Sequence, residues 1–518
     1  MTQVCNYNFC KLSPENKIAS KRSMKQTKLI RLLEKMTTSA MGGVTVVDKP
    51  SVREIAQFLV SPYFNTNALV IKLFDWLCKF APDFEEDSLC EEAAFKHLFP
   101  GEPFEEAKLR KLRSKLLKLL ETYVHVKASM GNEFQQDLSL LRFFDKQNLL
   151  HDFDLHAAKM EQAHLHRPVM DGAFFLDLYQ LEDAISRMKS GKSDDFVTDV
   201  NFQAASESLD LFYLTHKLMY ASLMANRGKV LGGRFAFDYG LLPSLLPDAA
   251  QAMARHAAYA DVLGLWLNAY HLLTSDDPSD IATHYHKLKN RVLELGSRLS
   301  VPDLSLLSVF LLNNIKKVFV DKERRYEEQF TWYKLLVDSH VYEQGAVLTP
   351  GMYKNIVTLA LLVEETDWAT QFMENNKQML PVTDKSYDLC QAMVHFAKAN
   401  YTAALEMLEG PNSVQQDNPY NLVIEKRIRL KTYFEMKDDF RFEALHDSFS
   451  TWLSRNQHIV ARDYLMANRH FLTLVQELHK ARFEKAKKRL RSIKAKVQAN
   501  GELPEWKWLL KKVGEMDK

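Results

Sequence analysis

The feature that most limits what this chain can fold into is its shortage of turn-forming residues: 17 glycines and 16 prolines in 518 positions. Together they make up about 6%, roughly half the usual share. Sheets use Gly and Pro at every hairpin and crossover, whereas stacked helices need them only as punctuation. The expected class is therefore all-α. A Gly-rich nucleotide-binding core and a β-sandwich are both disfavoured. At 518 residues the chain is also too long for one compact core, so it should form several domains or an extended array of helices.

The 68 Lys and Arg nearly balance the 66 Asp and Glu, giving a formal charge of +2. A balanced chain has no overall pull toward nucleic acid or anionic lipid, so such binding must come from a local patch. The five cysteines, Cys5, Cys10, Cys78, Cys90 and Cys390, are few and scattered, which fits a reducing cytoplasm. The longest apolar runs, 304–312 and 356–363, fall far short of the ~20 residues that span a bilayer. The first 30 residues are basic and polar and hold no apolar signal segment. The expected location is cytoplasmic, with no membrane span. Residues 1–24 read as a disordered tail, or as an extension upstream of a start at Met24.

Hydrophobic periodicity divides the remainder into a small helical domain over 25–130, a helical bundle over 131–300 and helical repeats over 301–518. In the first of these, Leu29, Leu32 and Leu33 share a face, as do Val70, Leu73, Phe74, Leu77 and Phe80. The Gly/Val-rich stretch 39–51 reads as a loop. Another long amphipathic helix runs through Leu211, Leu214, Leu218 and Met219. The segment 227–239, with three glycines and alternating apolar residues, is the expected place for a small hairpin. Beyond it, helix starts combine a polar cap with an early proline: Thr349-Pro350, Asn418-Pro419 and Ser300-Val301-Pro302-Asp303.

The second half carries a loose internal repeat. Polar–aromatic helix starts recur at Tyr326, Trp368, Tyr401, Phe440 and Phe483, spaced 42, 33, 39 and 43 residues apart, and these side chains should fill the gaps between helices. In two copies an alanine follows three positions later, Ala404 after Tyr401 and Ala486 after Phe483, where a small side chain lets a neighbouring helix approach. The segment 392–411, with Phe396, Tyr401, Ala404, Leu405 and Pro411, resembles the second helix of a tetratricopeptide repeat. The spacings vary, however, and Trp368 is followed directly by Ala369. The resemblance implies an α-solenoid, a helical-hairpin array of tetratricopeptide-like character, behind the small N-terminal domain.

Residues 104–123 form a basic helix in which Leu109, Leu112, Leu116, Leu119 and Tyr123 make an apolar stripe. The order helix, acidic loop, helix, basic helix over 69–123 resembles the winged-helix unit of bacterial regulators that join a DNA-binding domain to a tetratricopeptide-type domain. That resemblance implies Arg110, Lys111, Arg113 and Lys118 as candidate nucleic-acid contacts, with the wing supplied by 124–129. A second basic stretch, 480–496, holds nine Lys or Arg and one acid, and reads as a solvated face backed by Phe483, Leu490, Ile493 and Val497.

Catalytic and metal signatures are missing. His151, His156, His164 and His166, and the pair His284 and His286, lack the i, i+4 spacing of helical zinc ligands. Gly191-Lys192-Ser193 ends like a phosphate-binding loop but has Ser186 where the first glycine belongs. We therefore expect no cofactor and no metal. The leading expectation is a non-enzymatic interaction module, a scaffold or adaptor, for a protein or peptide partner. A DNA-binding regulator and an enzyme without a recognisable motif are the alternatives.

Overall fold

A computed structural model of the chain describes residues 23–41, 44–85, 89–190, 200–230, 237–255, 259–343, 347–381, 384–409, 418–484, 487–500 and 503–517. The fold is all-α, an array of 23 α-helices with a single strand pair among the described residues. It divides into two compact units, Met1–Gln136 and Asp137–Lys518. No described helix is long and apolar enough to cross a membrane. The expected tail over 1–24 lies outside the described residues except for its end, where Met24 is buried in the first core.

The first unit packs α1 (Lys28–Thr37), α2 (Lys49–Val60), α3 (Ala68–Cys78), α4 (Glu91–Leu98) and α5 (Glu106–Met130) around one core. Leu29, Leu33, Val70, Leu73, Phe74 and Leu77 all lie in it, together with Leu109, Leu112, Leu116 and Leu119 of α5. The stretch read as a loop contains instead the antiparallel pair β1 (Thr38–Met41) and β2 (Val44–Val47), with Thr38 opposite Val47 and Met41 opposite Val44. Val44, Val46 and Val47 are β-branched and follow a Gly-Gly pair, a hairpin signal that the loop reading passed over. No wing follows α5. Residues 124–129 belong to its last turns, and Tyr123 (2.9 Å) and Lys127 (2.6 Å), one turn apart, both donate to Glu54 of α2.

The division between the units falls within α6 (Glu133–Lys146). The second unit continues with α7 (Leu150–Leu165), α8 (Gly172–Ser190), α9 (Val200–Val230), α10 (Leu242–Arg255), α11 (Ala260–Thr274), α12 (Pro278–Leu295), α13 (Val301–Val318) and α14 (Lys322–Asp338). It ends with α15 (Pro350–Leu362), α16 (Thr366–Asn376), α17 (Ser386–Ala397), α18 (Tyr401–Glu409), α19 (Pro419–Met436), α20 (Asp439–Arg455), α21 (Arg462–Glu484), α22 (Lys487–Ala499) and α23 (Trp506–Asp517). From α10 onward each helix packs on the next, and α15 also meets α17, α17 meets α19, and α21 meets α23. One apolar core runs from Phe174 to Val394, continuing through position 300, and a second runs from Leu405 to Val513. The hairpin expected at 227–239 begins in the last turn of α9, and its centre, 231–236, lies outside the described residues.

The cap grammar has direct physical content. Ser300 accepts from the amide of Asp303, Thr349 from that of Met352 and Asn418 from that of Tyr420, with proline in each first turn. Each bond satisfies one of the amides that a helix start leaves without a partner.

The aromatic series divides. Tyr326 is half-buried near the start of α14, and Trp368 stacks on Phe372 one turn later at 5.4 Å. Tyr401, half-buried, lies 5.6 Å from the ring of Phe396, and Ala404 is fully buried. Phe440 corrects the expectation: it is 85% exposed, and Phe442, 1% exposed, takes the interior place. Two residues apart means roughly 200° around a helix, so only one of the pair can face the core. The rings of Phe434 and His479 stand on the side of Phe442, at 6.1 and 4.3 Å. Phe483 is a second correction, because it lies at the end of α21 rather than at a helix start, and it is 63% exposed. Its role in backing the basic stretch therefore falls to Leu490, Ile493 and Val497 of α22 alone. Ala486 lies outside the described residues.

Candidate functional site

The second unit carries a groove of about 570 Å³ lined mainly by α15, α17, α19 and α23. Because α17 packs on both α15 and α19, the three helices present neighbouring faces on one side. Leu361 and Leu362 of α15, Met393 and Phe396 of α17, and Ile424 and Ile428 of α19 make its apolar lining. The last helix, α23, adds Trp506, Trp508 and Leu510 together with Lys507, Lys511 and Lys512.

The charged groups of the groove are mostly committed to one another. Glu505 sits just before α23 with φ 58°, a left-handed conformation uncommon for a residue other than glycine. Its carboxylate accepts from Lys431 Nζ at 2.6 Å and lies 3.4 Å from Arg427 Nε. Burial pulls the Glu505 pKa upward, but the Lys431 and Arg427 cations outweigh that and hold it below the ordinary glutamate value. Lys431 itself is buried and stands 4.2 Å from the centre of the Phe396 ring, a cation–π contact.

Three further contacts fix α23. Glu435 of α19 accepts from Trp508 Nε1 at 2.7 Å and from Lys512 Nζ at 2.8 Å. Lys507 Nζ donates to the Leu362 carbonyl at 2.7 Å, placing a cation at the C-terminal end of α15, where the helix dipole favours it. The Trp506 ring has the ammonium groups of Lys322 and Lys507 at 4.8 and 5.7 Å from its centre. One buried donor of the groove, Trp506 Nε1, faces no acceptor, whereas Arg427 Nε has only the Glu505 carboxylate at 3.4 Å.

No local pattern in the sequence marks this groove. The nearest signal is the pairing of Trp506 and Trp508 around Lys507, two of only seven tryptophans in the chain. Phe396 and Tyr401 of the 392–411 segment line it, whereas Tyr326 and Trp368 pack elsewhere in the array.

In the first unit, the candidate nucleic-acid contacts separate into two groups. Arg110, Lys111 and Lys118 are exposed and share a shallow surface with Ser114 and Lys115. Arg113 points elsewhere, into an ion pair with Glu91 of α4. Among the described residues, Arg110, Lys111, Lys115 and Lys118 make no ion pair, whereas Lys108 pairs with Glu102 and Glu105 at 2.9 and 3.2 Å.

The histidines and cysteines outside the groove have ordinary structural settings where described. His156 bonds the Asp137 carbonyl at 3.2 Å. His164 stacks on Phe174 at 4.0 Å, and burial lowers its pKa to about 4. Burial raises the Cys78 thiol to about 12 and also pushes Cys390 up, away from the reactive thiolate form. No group of three His, Cys, Asp or Glu among the described residues is placed to hold a metal ion. Gly191-Lys192-Ser193 lies outside the described residues. Comparison of the chain with protein-family models, with curated proteins and with solved structures gives no match.

Proposed function

We propose that the second half of the chain is a non-catalytic interaction module, a helical-repeat array of tetratricopeptide-like character that receives a peptide segment of a partner protein in the groove between α15, α17, α19 and α23. The observation that carries this reading is the groove itself: about 570 Å³, with an apolar lining and polar groups from four helices. Such a concavity suits an extended segment, and stacked helical hairpins commonly use their concave side for partners. Ala397 is exposed on the lining, so Ala397→Trp fills the groove without touching the core. Selection from a displayed random-peptide library should yield binders that are lost on Ala397→Trp. Binders indifferent to that change, or none at all, would count against the reading.

The exposed, unpaired cations of α5 favour a second reading, a nucleic-acid-binding regulator. Contacts to phosphates release counterions, so binding should weaken with salt at a log–log slope of roughly −0.9 per contact. A shift assay with random duplex DNA compares wild type with a variant carrying Ala at 110, 111, 115 and 118. The regulator reading expects a complex with wild type alone; the interaction-module reading expects neither protein to shift the duplex.

A further inference from the structure

We infer that the groove is built for an acidic peptide, with a side-chain carboxylate of the bound segment received by Trp506 Nε1 near the Lys431–Arg427 cations. This rests on the peptide-groove reading and narrows it. Trp506 Nε1 is buried and lacks a hydrogen-bond acceptor, and Trp506 lines the same cavity as Arg427, whose Nε faces Glu505 at 3.4 Å. An indole N–H can only donate, so the group that completes it must accept. A buried donor left unmade carries the full penalty of its lost hydration, which a bound acceptor removes.

Charge selects a carboxylate over a neutral carbonyl. Lys431, which is buried, and Arg427, half-buried, share one half-buried carboxylate, Glu505, which leaves the trio with one surplus positive charge. Glu435 does not offset it, being taken by Lys512 and Trp508. Lys511 adds an exposed cation to the lining. Glu323 and Glu364 also line the groove, but both are exposed to water, where salt screens them more than it screens the partly buried trio. A side-chain carboxylate is the source that lets the bound chain continue on both sides over Leu361, Met393 and Ile424.

The test uses the full chain and three matched sets of 12-residue peptides on an array. One set has a central Glu and an amidated end, one a central Gln and an amidated end, and one a central Gln and a free C-terminal carboxylate. The Glu set should bind roughly tenfold more tightly than the amidated Gln set, the scale of one hydrogen bond to a charged group. Trp506→Phe keeps an aromatic side chain and removes the donor, so it should erase that difference. In wild type, one of the seven indole N–H signals should move downfield with the Glu set only, a readout that needs no variant. Equal binding of Glu and Gln peptides, still blocked by Ala397→Trp, overturns the carboxylate and leaves the groove standing. Binding confined to the free-terminus set overturns the side-chain source. No binding by any set overturns both.

Discussion

On α5, Arg110, Lys111, Lys115 and Lys118 stand in water with no ion pair among the described residues, whereas on α19 Lys431 is buried against Glu505 and the Phe396 ring. The residue types are the same, and their consequences for the fold are opposite. An exposed ammonium keeps its hydration and costs the fold nothing, so it remains free for a partner. A buried one has lost that hydration and depends on its carboxylate, so removing the partner strands a charge. Within α5 the same contrast recurs in miniature, because Arg113 pairs with the buried Glu91 while its neighbours stay free.

The largest expected effect tests the buried side of this contrast. Glu505→Gln removes the carboxylate from Lys431 and Arg427 and should cost roughly 3–5 kcal/mol in urea unfolding. A loss below about 1 kcal/mol would mean that Lys431 is not held as a buried ion. The same group gives a pH signature. Its pKa is lower in the folded state than in the unfolded one, so its contribution is present above the unfolded value and lost as pH falls through the folded value. Wild type should weaken on acidification from about pH 5, and Glu505→Gln should show a shallower decline over the same range.

A smaller effect sharpens the contrast within one helix. Arg113→Ala leaves the Glu91 carboxylate, 8% exposed, without its partner and should cost about 1–3 kcal/mol. Single Ala substitutions at Arg110, Lys111, Lys115 or Lys118 should each stay within about 0.5 kcal/mol. Thermal melts of these variants decide it: equal shifts for Arg113 and its neighbours would erase the distinction between paired and free cations on α5.

Much of the local structure was legible because its causes are local. The caps Ser300, Thr349 and Asn418 start helices, and Leu109, Leu112, Leu116 and Leu119 are buried, as the 3.6-residue period requires. The hairpin at 38–47 was readable too, but its strands are short and a propensity for helix dominates the surrounding sequence. The groove was not legible. Lys431 and Glu505 are 74 positions apart, and Lys507 meets Leu362 across 145. No periodicity within a helix reports which distant helix returns to it.

By itself, then, the sequence determined an all-α chain, the helix starts and the apolar stripes, since turn supply, capping and periodicity act over a few residues. Only the tertiary structure decided which of two aromatics in one turn is interior, which cations are paired, and that α23 lines the groove with α15, α17 and α19. Phe440 and Phe442 are chemically identical, and the choice between them was made by Phe434 and His479 on the neighbouring helices. Burial belongs to the surroundings of a side chain and not to its type. It is fixed only when elements far apart in the chain have packed.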